Sequence, residues 1–109
     1  MKLLMAIVHS KDRNRVTGAL LTNQFKFTQI GSSGGFLREG NATYLIGLED
    51  DQVDEALKII DENCRTREQY VNVLPPDASP LGSFYPTPVK VQVGGAVVFV
   101  IDVERSERF

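Results

Sequence analysis

The feature that most constrains the fold is the order in which strand-like and helix-like hydrophobic patterns follow one another. Residues 3–8 form a short, branched and wholly apolar run, typical of a strand buried on both faces. Residues 25–30 then place two Phe side chains on one side and a Lys and a Thr on the other, which is a strand alternation. After a glycine-rich interruption, residues 41–48 have the pattern of the next strand. We expect these last two strands to pair antiparallel across the glycines.

Two other segments carry apolar residues at helical spacing. The apolar positions of the first are Val16, Ala19 and Leu20. Ser10 or Asp12 can cap its start, and it is expected to end by residue 23. The second begins with the acidic residues 49–51, which suit the positive end of a helix dipole, and ends at Asn63. Its apolar stripe consists of Val53, Ala56, Leu57 and Ile60.

The last third of the chain combines an irregular segment with two further strands. All five prolines fall after residue 74, so residues 65–88 are predicted to form a long loop. Residues 89–93 alternate Val with polar residues, a Gly-Gly pair supplies a two-residue turn, and residues 96–103 return as a largely apolar strand. The order β-α-β-β-α-loop-β-β predicts one domain over residues 1–109. Its fold class is α+β, a ferredoxin-like βαββαβ sandwich with a C-terminal hairpin.

The composition excludes several classes of function. Lys and Arg number 12 against 14 Asp and Glu, without a basic run, so no nucleic-acid partner is expected. Cys64 is the only cysteine, which excludes an intramolecular disulfide and suits the cytoplasm. His9 is the only histidine, so one chain cannot build a Cys/His zinc site. The aliphatic runs are too short to cross a bilayer. We therefore expect a cytoplasmic protein with no bound metal and no membrane partner.

The glycine-rich interruption is a candidate anion site. Residues 31–35 read Gly-Ser-Ser-Gly-Gly, and such a loop lets amides and hydroxyls converge on a phosphate. Lys26 and Thr28 share the strand face that leads into it, and Phe36 directly after it offers an aromatic surface for a planar base. The alternative interpretation is a flexible hairpin connection with no ligand.

No catalytic set is visible in the sequence. Asp50, Asp51, Asp54 and Glu55 fit a solvated helix start better than a catalytic pair or a metal site. Cys64 has no second histidine or cysteine to activate it and fits a small buried hydrophobe. His9 is assigned no role. We predict a binding protein and not an enzyme, with an enzyme that uses the acidic helix start or Cys64 as the alternative.

Four stretches together carry a resemblance to a known family. They are residues 25–28 (Phe-Lys-Phe-Thr), 33–43 (Ser-Gly-Gly-Phe-Leu-Arg-Glu-Gly-Asn-Ala-Thr), 67–69 (Arg-Glu-Gln) and 93–100 (Val-Gly-Gly-Ala-Val-Val-Phe-Val). On these stretches the sequence resembles the PII-like cyclic di-AMP receptor family, which is related to the nitrogen regulatory PII signal-transduction proteins. The resemblance runs over nearly the whole chain.

The resemblance implies a homotrimer that holds cyclic di-AMP in clefts between subunits, with a large loop near each cleft. It assigns polar contacts to Thr28 and Asn41, close approach of the ligand to Gly47, and packing of a base on Phe99. Backbone groups and an apolar wall are assigned to Gly35, Phe36 and Leu37. The chain departs from the family pattern at Lys26 and Phe27, where Arg and Ala are usual, and at Arg108, where Gln or His is usual. The candidate ligand-binding set is therefore Lys26, Thr28, Gly35, Phe36, Leu37, Asn41, Gly47, Phe99 and Arg108.

The function expected from this resemblance is a cytoplasmic signal-transduction receptor. It would bind cyclic di-AMP without any other cofactor and change its loops, and so regulate an unidentified downstream protein. The alternatives are a divergent PII-like protein that binds another adenine nucleotide, and a trimer that has lost ligand binding.

Overall fold

The chain is described from a computed structural model over residues 1–34, 37–73 and 87–109. Within these ranges it forms two helices and six strands. The helices are α1 (Arg13–Thr22) and α2 (Val53–Cys64), each preceded by a short 3-10 turn, Ser10–Asp12 and Asp50–Gln52. The strands are β1 (Lys2–His9), β2 (Thr28–Gly34), β3 (Leu37–Leu48), β4 (Arg67–Val73), β5 (Thr87–Val93) and β6 (Ala96–Asp102).

Four of the strands form one antiparallel sheet in the order β2-β3-β1-β6. β1 lies at the centre and pairs along its whole length with β3, from Lys2 opposite Leu48 to His9 opposite Asn41. Its other edge pairs with β6. The predicted antiparallel pairing of β2 with β3 is confirmed. With one helix in each crossover, these elements give the βαββαβ order, so the ferredoxin-like α+β class is confirmed.

The two faces of this sheet differ because successive side chains of a strand point to opposite sides. Leu4, Ala6 and Val8 of β1 are fully buried and pack with apolar residues of both helices. Burial of a Leu or Val side chain of this kind contributes about 2 kcal/mol to the free energy of unfolding. The odd-numbered residues Leu3, Met5, Ile7 and His9, together with their cross-strand neighbours, form the opposite face, which we call the outer face.

The predicted loop over residues 65–88 is wrong at both of its ends. β4 and β5 pair antiparallel as a second, two-stranded sheet, which we call the ribbon, with Arg67 opposite Val93 and Val73 opposite Thr87. The strand over residues 89–93 was predicted and lies in β5, but β4 escaped prediction because it begins with three polar residues and is held by backbone pairing to a segment distant in sequence. Residues 74–86, the middle of the predicted loop, lie outside the described residues.

The predicted C-terminal hairpin is replaced by a crossing between sheets. β5 belongs to the ribbon and β6 to the main sheet, so the two strands on either side of the Gly-Gly pair do not pair with each other. Gly94 and Gly95 have φ values of 79° and 99°, in the region that favours glycine. The prediction that these glycines form a two-residue hairpin turn is therefore wrong, because they redirect the chain from one sheet to the other.

The boundaries of β2 also differ from the prediction. The strand begins at Thr28 and continues to Gly34, whereas residues 25–30 were predicted. Phe25 is buried, and Phe27 packs edge to face on Tyr44 with ring centroids 5.4 Å apart. The two aromatic residues therefore enter the core from the segment before the strand. Both helices end within one residue of their predicted ends.

Candidate functional site

The register of the main sheet places four of the predicted site residues on the outer face. Thr28 and Phe99 lie at the two ends of one cross-strand row, whose inner members are Leu45 and Met5. Phe99 is 40% exposed. A hydroxyl and an aromatic ring thus border the same apolar row from opposite edges of the sheet.

Asn41 lies at one end of the outer face, between Ser32 of β2 and His9 of β1. It is 8% exposed, and its Oδ1 has no hydrogen-bond partner among the residues that the structure describes. A buried acceptor without a donor costs about 1–3 kcal/mol. An outside donor that reaches this oxygen would remove that cost, so Asn41 Oδ1 is suited to receive a hydrogen bond from a ligand.

Gly47 lies at the other end of the outer face, opposite Leu3. A Cβ added to Gly47 would meet only the Met1 methyl group, at an ordinary contact distance of 3.6 Å. The backbone of Gly47 has an ordinary φ, and the residue is exposed. The packing of the described chain therefore does not require glycine here, which leaves room for an outside group to approach the backbone.

These four residues share a face but do not converge on one pocket. Thr28 and Phe99 are separated by three inter-strand spacings, roughly 14 Å. Asn41 and Gly47 are six residues apart on β3, roughly 20 Å along an extended strand. A single copy of the chain thus presents them as separate contact points on one sheet.

The other predicted site residues are distributed around this face. Lys26 is exposed in the segment that precedes β2, and Arg108 is exposed in the segment that follows β6. Leu37 begins β3 opposite Gly34. Gly35 and Phe36 lie outside the described residues.

The predicted glycine-serine loop is a strand over most of its length. Residues 31–34 belong to β2 and pair with β3, with an irregularity between Ser32 and Gly34. Glycine and serine have low strand propensity, but the ladder to β3 overrides that preference because its backbone hydrogen bonds do not depend on the side chains. The prediction that residues 31–34 form a loop is therefore wrong.

A groove of about 400 Å³ lies on the helix side of the sheet, between α2 and β6. Leu57, Ile60, Cys64 and Val98 are among its lining residues, and none of the predicted ligand-binding residues lines it. Burial, with a smaller contribution from the charge of Asp12, raises the pKa of the Cys64 thiol to about 11. The thiol donates to the Ile60 carbonyl at 2.7 Å. Cys64 is therefore protonated near neutral pH and is poorly suited to nucleophilic attack.

The residues just before α2 make contacts that stabilise the start of the helix. Glu49 and Gln52 form a capping box, in which the Glu49 amide donates to Gln52 Oε1 at 3.0 Å. A hydrogen bond and the charge of the Met1 amino group, 3.0 Å from Asp50 Oδ1, lower the pKa of Asp50. Over the described ranges, no group of three or more His, Cys, Asp or Glu residues is arranged to hold a metal ion. No helix there is long and apolar enough to span a bilayer.

Sequence reasoning missed a buried ion pair at the base of the ribbon. Asp12 occupies the N-cap position of α1, as predicted, but its side chain makes no capping bond. Its fully buried carboxylate accepts a hydrogen bond from Arg67 Nη2 at 2.9 Å. Fifty-five residues separate the two, so no local pattern could have revealed the pair.

Comparisons with known proteins agree with the resemblance stated above. A family model described as cyclic-di-AMP receptor matches residues 1–109, the whole chain. Among solved structures, a crystal structure of a functionally unknown protein from Pediococcus pentosaceus matches with 39% sequence identity and a TM-score of 0.77. That match covers 99% of this chain and 96% of the other. The chain belongs to the cyclic-di-AMP receptor family.

Proposed function

We propose that the protein is a signalling receptor that binds cyclic di-AMP on the outer face of its sheet and performs no chemistry on it. Family membership supports the ligand class. The observation that carries the proposal is the buried, unpaired Oδ1 of Asn41 on the same face as Thr28, Gly47 and Phe99. It is the kind of acceptor that a ligand with exocyclic amino groups would satisfy.

The chemistry of the ligand fits the residue types on this face. Each adenine amino group is a donor that suits Asn41 Oδ1, and each base has a flat face that suits Phe99. The Thr28 hydroxyl can donate to a phosphate oxygen. Lys26 and Arg108 supply positive charge for the two phosphates. Lys26 stands at the position where the family usually has Arg. Phe27 packs into the core, so its bulk stays away from the outer face.

The proposal includes a homotrimer with the ligand in clefts between subunits. Ile30, Phe99 and Ile101 on the outer face are 47%, 40% and 41% exposed in the single chain. Apolar area of this kind is typical of a surface that a partner covers. The wide separation of the four contact residues supports a second copy as that partner, because residues from two chains can converge where those of one chain do not.

Ligand binding would then change the conformation of the segments around residues 31–40 and 65–88 and so alter affinity for a downstream protein partner. Both segments adjoin the outer face or the ribbon base in sequence. A cytoplasmic location is consistent with Cys64, which is the only cysteine and is unpaired in the fold.

Calorimetric titration of the purified protein with cyclic di-AMP tests this function. We expect saturable binding, a loss of affinity of about tenfold in Thr28→Ala, and wild-type affinity in Gln29→Ala. Gln29 is the matched control because it adjoins Thr28 but faces the helices, where it accepts from Thr17 at 3.3 Å. Absence of heat up to millimolar ligand would refute the proposal.

A receptor for another adenine nucleotide is the second candidate, favoured by Lys26 in place of the usual Arg. A thermal-shift panel with ATP, AMP and cyclic di-AMP separates the two, because the nucleotide that binds most tightly raises the melting temperature most at equal concentration. A larger shift with ATP or AMP would favour the second candidate. No shift with any of them would favour a trimer that has lost ligand binding.

A further inference from the structure

We propose that Asp12 is a positioning residue: through Arg67 it holds the ribbon in one orientation on the main sheet, and it links the ribbon to the row of the outer face that contains Asn41. The link to a ligand rests on the function proposed above. The positioning of the ribbon rests on geometry alone.

The first observation is the state of the Asp12 carboxylate. The side chain has no exposed surface, and Arg67 contacts both of its oxygens, Nη2 to Oδ1 at 2.9 Å and Nη1 to Oδ2 at 3.4 Å. Arg15 is farther away, with its Nη2 3.9 Å from Oδ1. A buried carboxylate requires a charged or hydrogen-bonding partner, and here the main partner belongs to the ribbon.

The second observation is that the start of β4 and the glycine after β5 both lie beside this carboxylate. Arg67 starts β4 and pairs with Val93 at the end of β5, and Gly94 follows directly. A Cβ on Gly94 would lie 2.6 Å from Arg67 Nη1 and 2.7 Å from Asp12 Oδ2, closer than atoms can approach. The glycine therefore leaves the space that the ion pair occupies. Asp12, Arg67 and Gly94 form one joint, which sets the direction in which the ribbon leaves the sheet.

The third observation connects the joint with the outer face. His9 lies directly opposite Asn41 in the sheet, and the turn Ser10–Asp12 follows it immediately. The His9 amide donates to the Gly95 carbonyl at 3.3 Å, and the Lys11 amide donates to His9 Nδ1 at 3.1 Å. The end of β1 thus pairs with Asn41 through His9, and the turn that follows it contains Asp12 of the joint. A ligand that engages Asn41 acts on the strand end that holds the ribbon.

Hydrogen exchange of the full-length chain, measured by mass spectrometry with and without cyclic di-AMP, tests the proposal. In Asp12→Asn we expect exchange at the ribbon base, Arg67 to Gln69 and Val91 to Val93, to be about tenfold faster without ligand. Calorimetry should show cyclic di-AMP affinity within about threefold of wild type. We expect cyclic di-AMP to slow exchange at the ribbon base in the wild type and to leave it unchanged in this variant.

Glu68→Gln is the matched control. It also neutralises a carboxylate of an ion pair in the ribbon, 2.7 Å from Lys90, but that pair joins β4 to β5. We expect this control to exchange as the wild type does with and without ligand. If Asp12→Asn changes exchange at the ribbon base without ligand but still responds to the ligand as the wild type does, Asp12 has a structural role only. That result would refute the link to the outer face.

Exchange at the ribbon base of Asp12→Asn that equals the wild type would overturn the positioning role. If Asp12→Asn does not fold, Arg67→Gln decides by the same measurements, because Arg67 is partly exposed and Arg15 remains near the carboxylate. If the wild type binds no cyclic di-AMP, the proposed function fails, and exchange without ligand still decides whether Asp12 positions the ribbon.

Discussion

The burial of Asn41 Oδ1 without a donor in the described part of the chain costs the folded chain stability. Its amide oxygen is buried without a donor among the described residues, in a strand whose other buried members are apolar or hydrogen-bonded. A side chain in this state contributes little to the stability of the ligand-free protein. We expect it to contribute to the affinity for a ligand instead.

Asn41→Leu should separate the effect of Asn41 on the stability of the fold from its effect on ligand affinity. Leu has the same branched four-atom skeleton as Asn and leaves no unpaired acceptor, so we expect the free energy of unfolding of the ligand-free protein to be unchanged or about 1 kcal/mol higher. Affinity for cyclic di-AMP should fall by more than about tenfold, since the ligand donor then loses its acceptor. Urea unfolding and calorimetry measure the two quantities.

The matched control is Asn63→Leu, because Asn63 Nδ2 donates to the Ile59 carbonyl at 2.7 Å on α2. Removing that satisfied amide should destabilise the protein by about 1 kcal/mol and leave ligand affinity unchanged. A loss of stability in Asn41→Leu as large as in Asn63→Leu would contradict the role given to the Asn41 oxygen.

The raised pKa of the Cys64 thiol predicts how the stability of the protein depends on pH. Its pKa rises from 9.0 to about 11 in the fold, chiefly because of burial. Between these two values the unfolded chain has lost the thiol proton and the folded chain retains it, so rising pH favours the unfolded state. The stability that this thiol contributes is complete below about pH 9 and declines by up to about 3 kcal/mol towards pH 11.

Urea unfolding of the wild type and of Cys64→Ala over this range measures the effect. We expect the stability of the wild type to fall more steeply with pH than that of the variant, although the variant is the less stable of the two at neutral pH. Parallel curves would show that the thiol titrates in the fold as it does in the unfolded chain.

At the scale of elements, glycine has opposite effects in α1 and at the ribbon joint. Gly18 lies within α1, and a Cβ added there meets nothing within 4 Å. Gly94 has φ 79° and would press a Cβ into the pair formed by Asp12 and Arg67. The same substitution should therefore stabilise one element and damage the other.

Thermal or urea unfolding of Gly18→Ala and Gly94→Ala checks this prediction. Gly18→Ala should raise the free energy of unfolding by about 1 kcal/mol because alanine favours a helix interior. Gly94→Ala should lower it by about 2 kcal/mol through backbone strain and displacement of the ion pair. Equal effects of one sign in both variants would contradict the geometry of the joint.

The elements differ in how well local patterns predicted them. Both helices and the strands β1, β3, β5 and β6 carry enough apolar periodicity to be recognised. β4 and the glycine-serine part of β2 carry little such pattern, since the ladder to a distant strand determines their conformation. The pairing of β6 with β1 instead of β5 likewise depends on contacts far apart in sequence.

At the scale of the whole molecule, two features of the outer face bear on the proposed trimer. Its apolar residues are partly exposed, and the predicted contact residues stand apart on it. A trimer that covers this face would bury the apolar area and assemble the contact residues from two subunits. Assembly and ligand binding should then be lost together.

Phe99→Glu tests this requirement, with Val100→Glu as the matched control. The two residues are adjacent on β6, are 40% and 46% exposed, and face opposite sides of the sheet. Phe99→Glu should convert a trimer to monomers in analytical ultracentrifugation and abolish cyclic di-AMP binding, because a buried unpaired carboxylate is costly. Val100→Glu should remain trimeric. A monomeric wild type that still binds the ligand would refute the cleft between subunits.

The sequence alone determined the class of fold, the positions of the helices and of four strands, and the family, because these depend on local periodicity and on motifs spread along the chain. It also indicated Thr28, Asn41, Gly47 and Phe99 as site residues through that resemblance. Only the tertiary structure decided that the four share one face, that Asn41 Oδ1 is unpaired, and that Asp12 meets Arg67 beside Gly94. Strand register and burial create these relations, and both arise from contacts between residues distant in sequence.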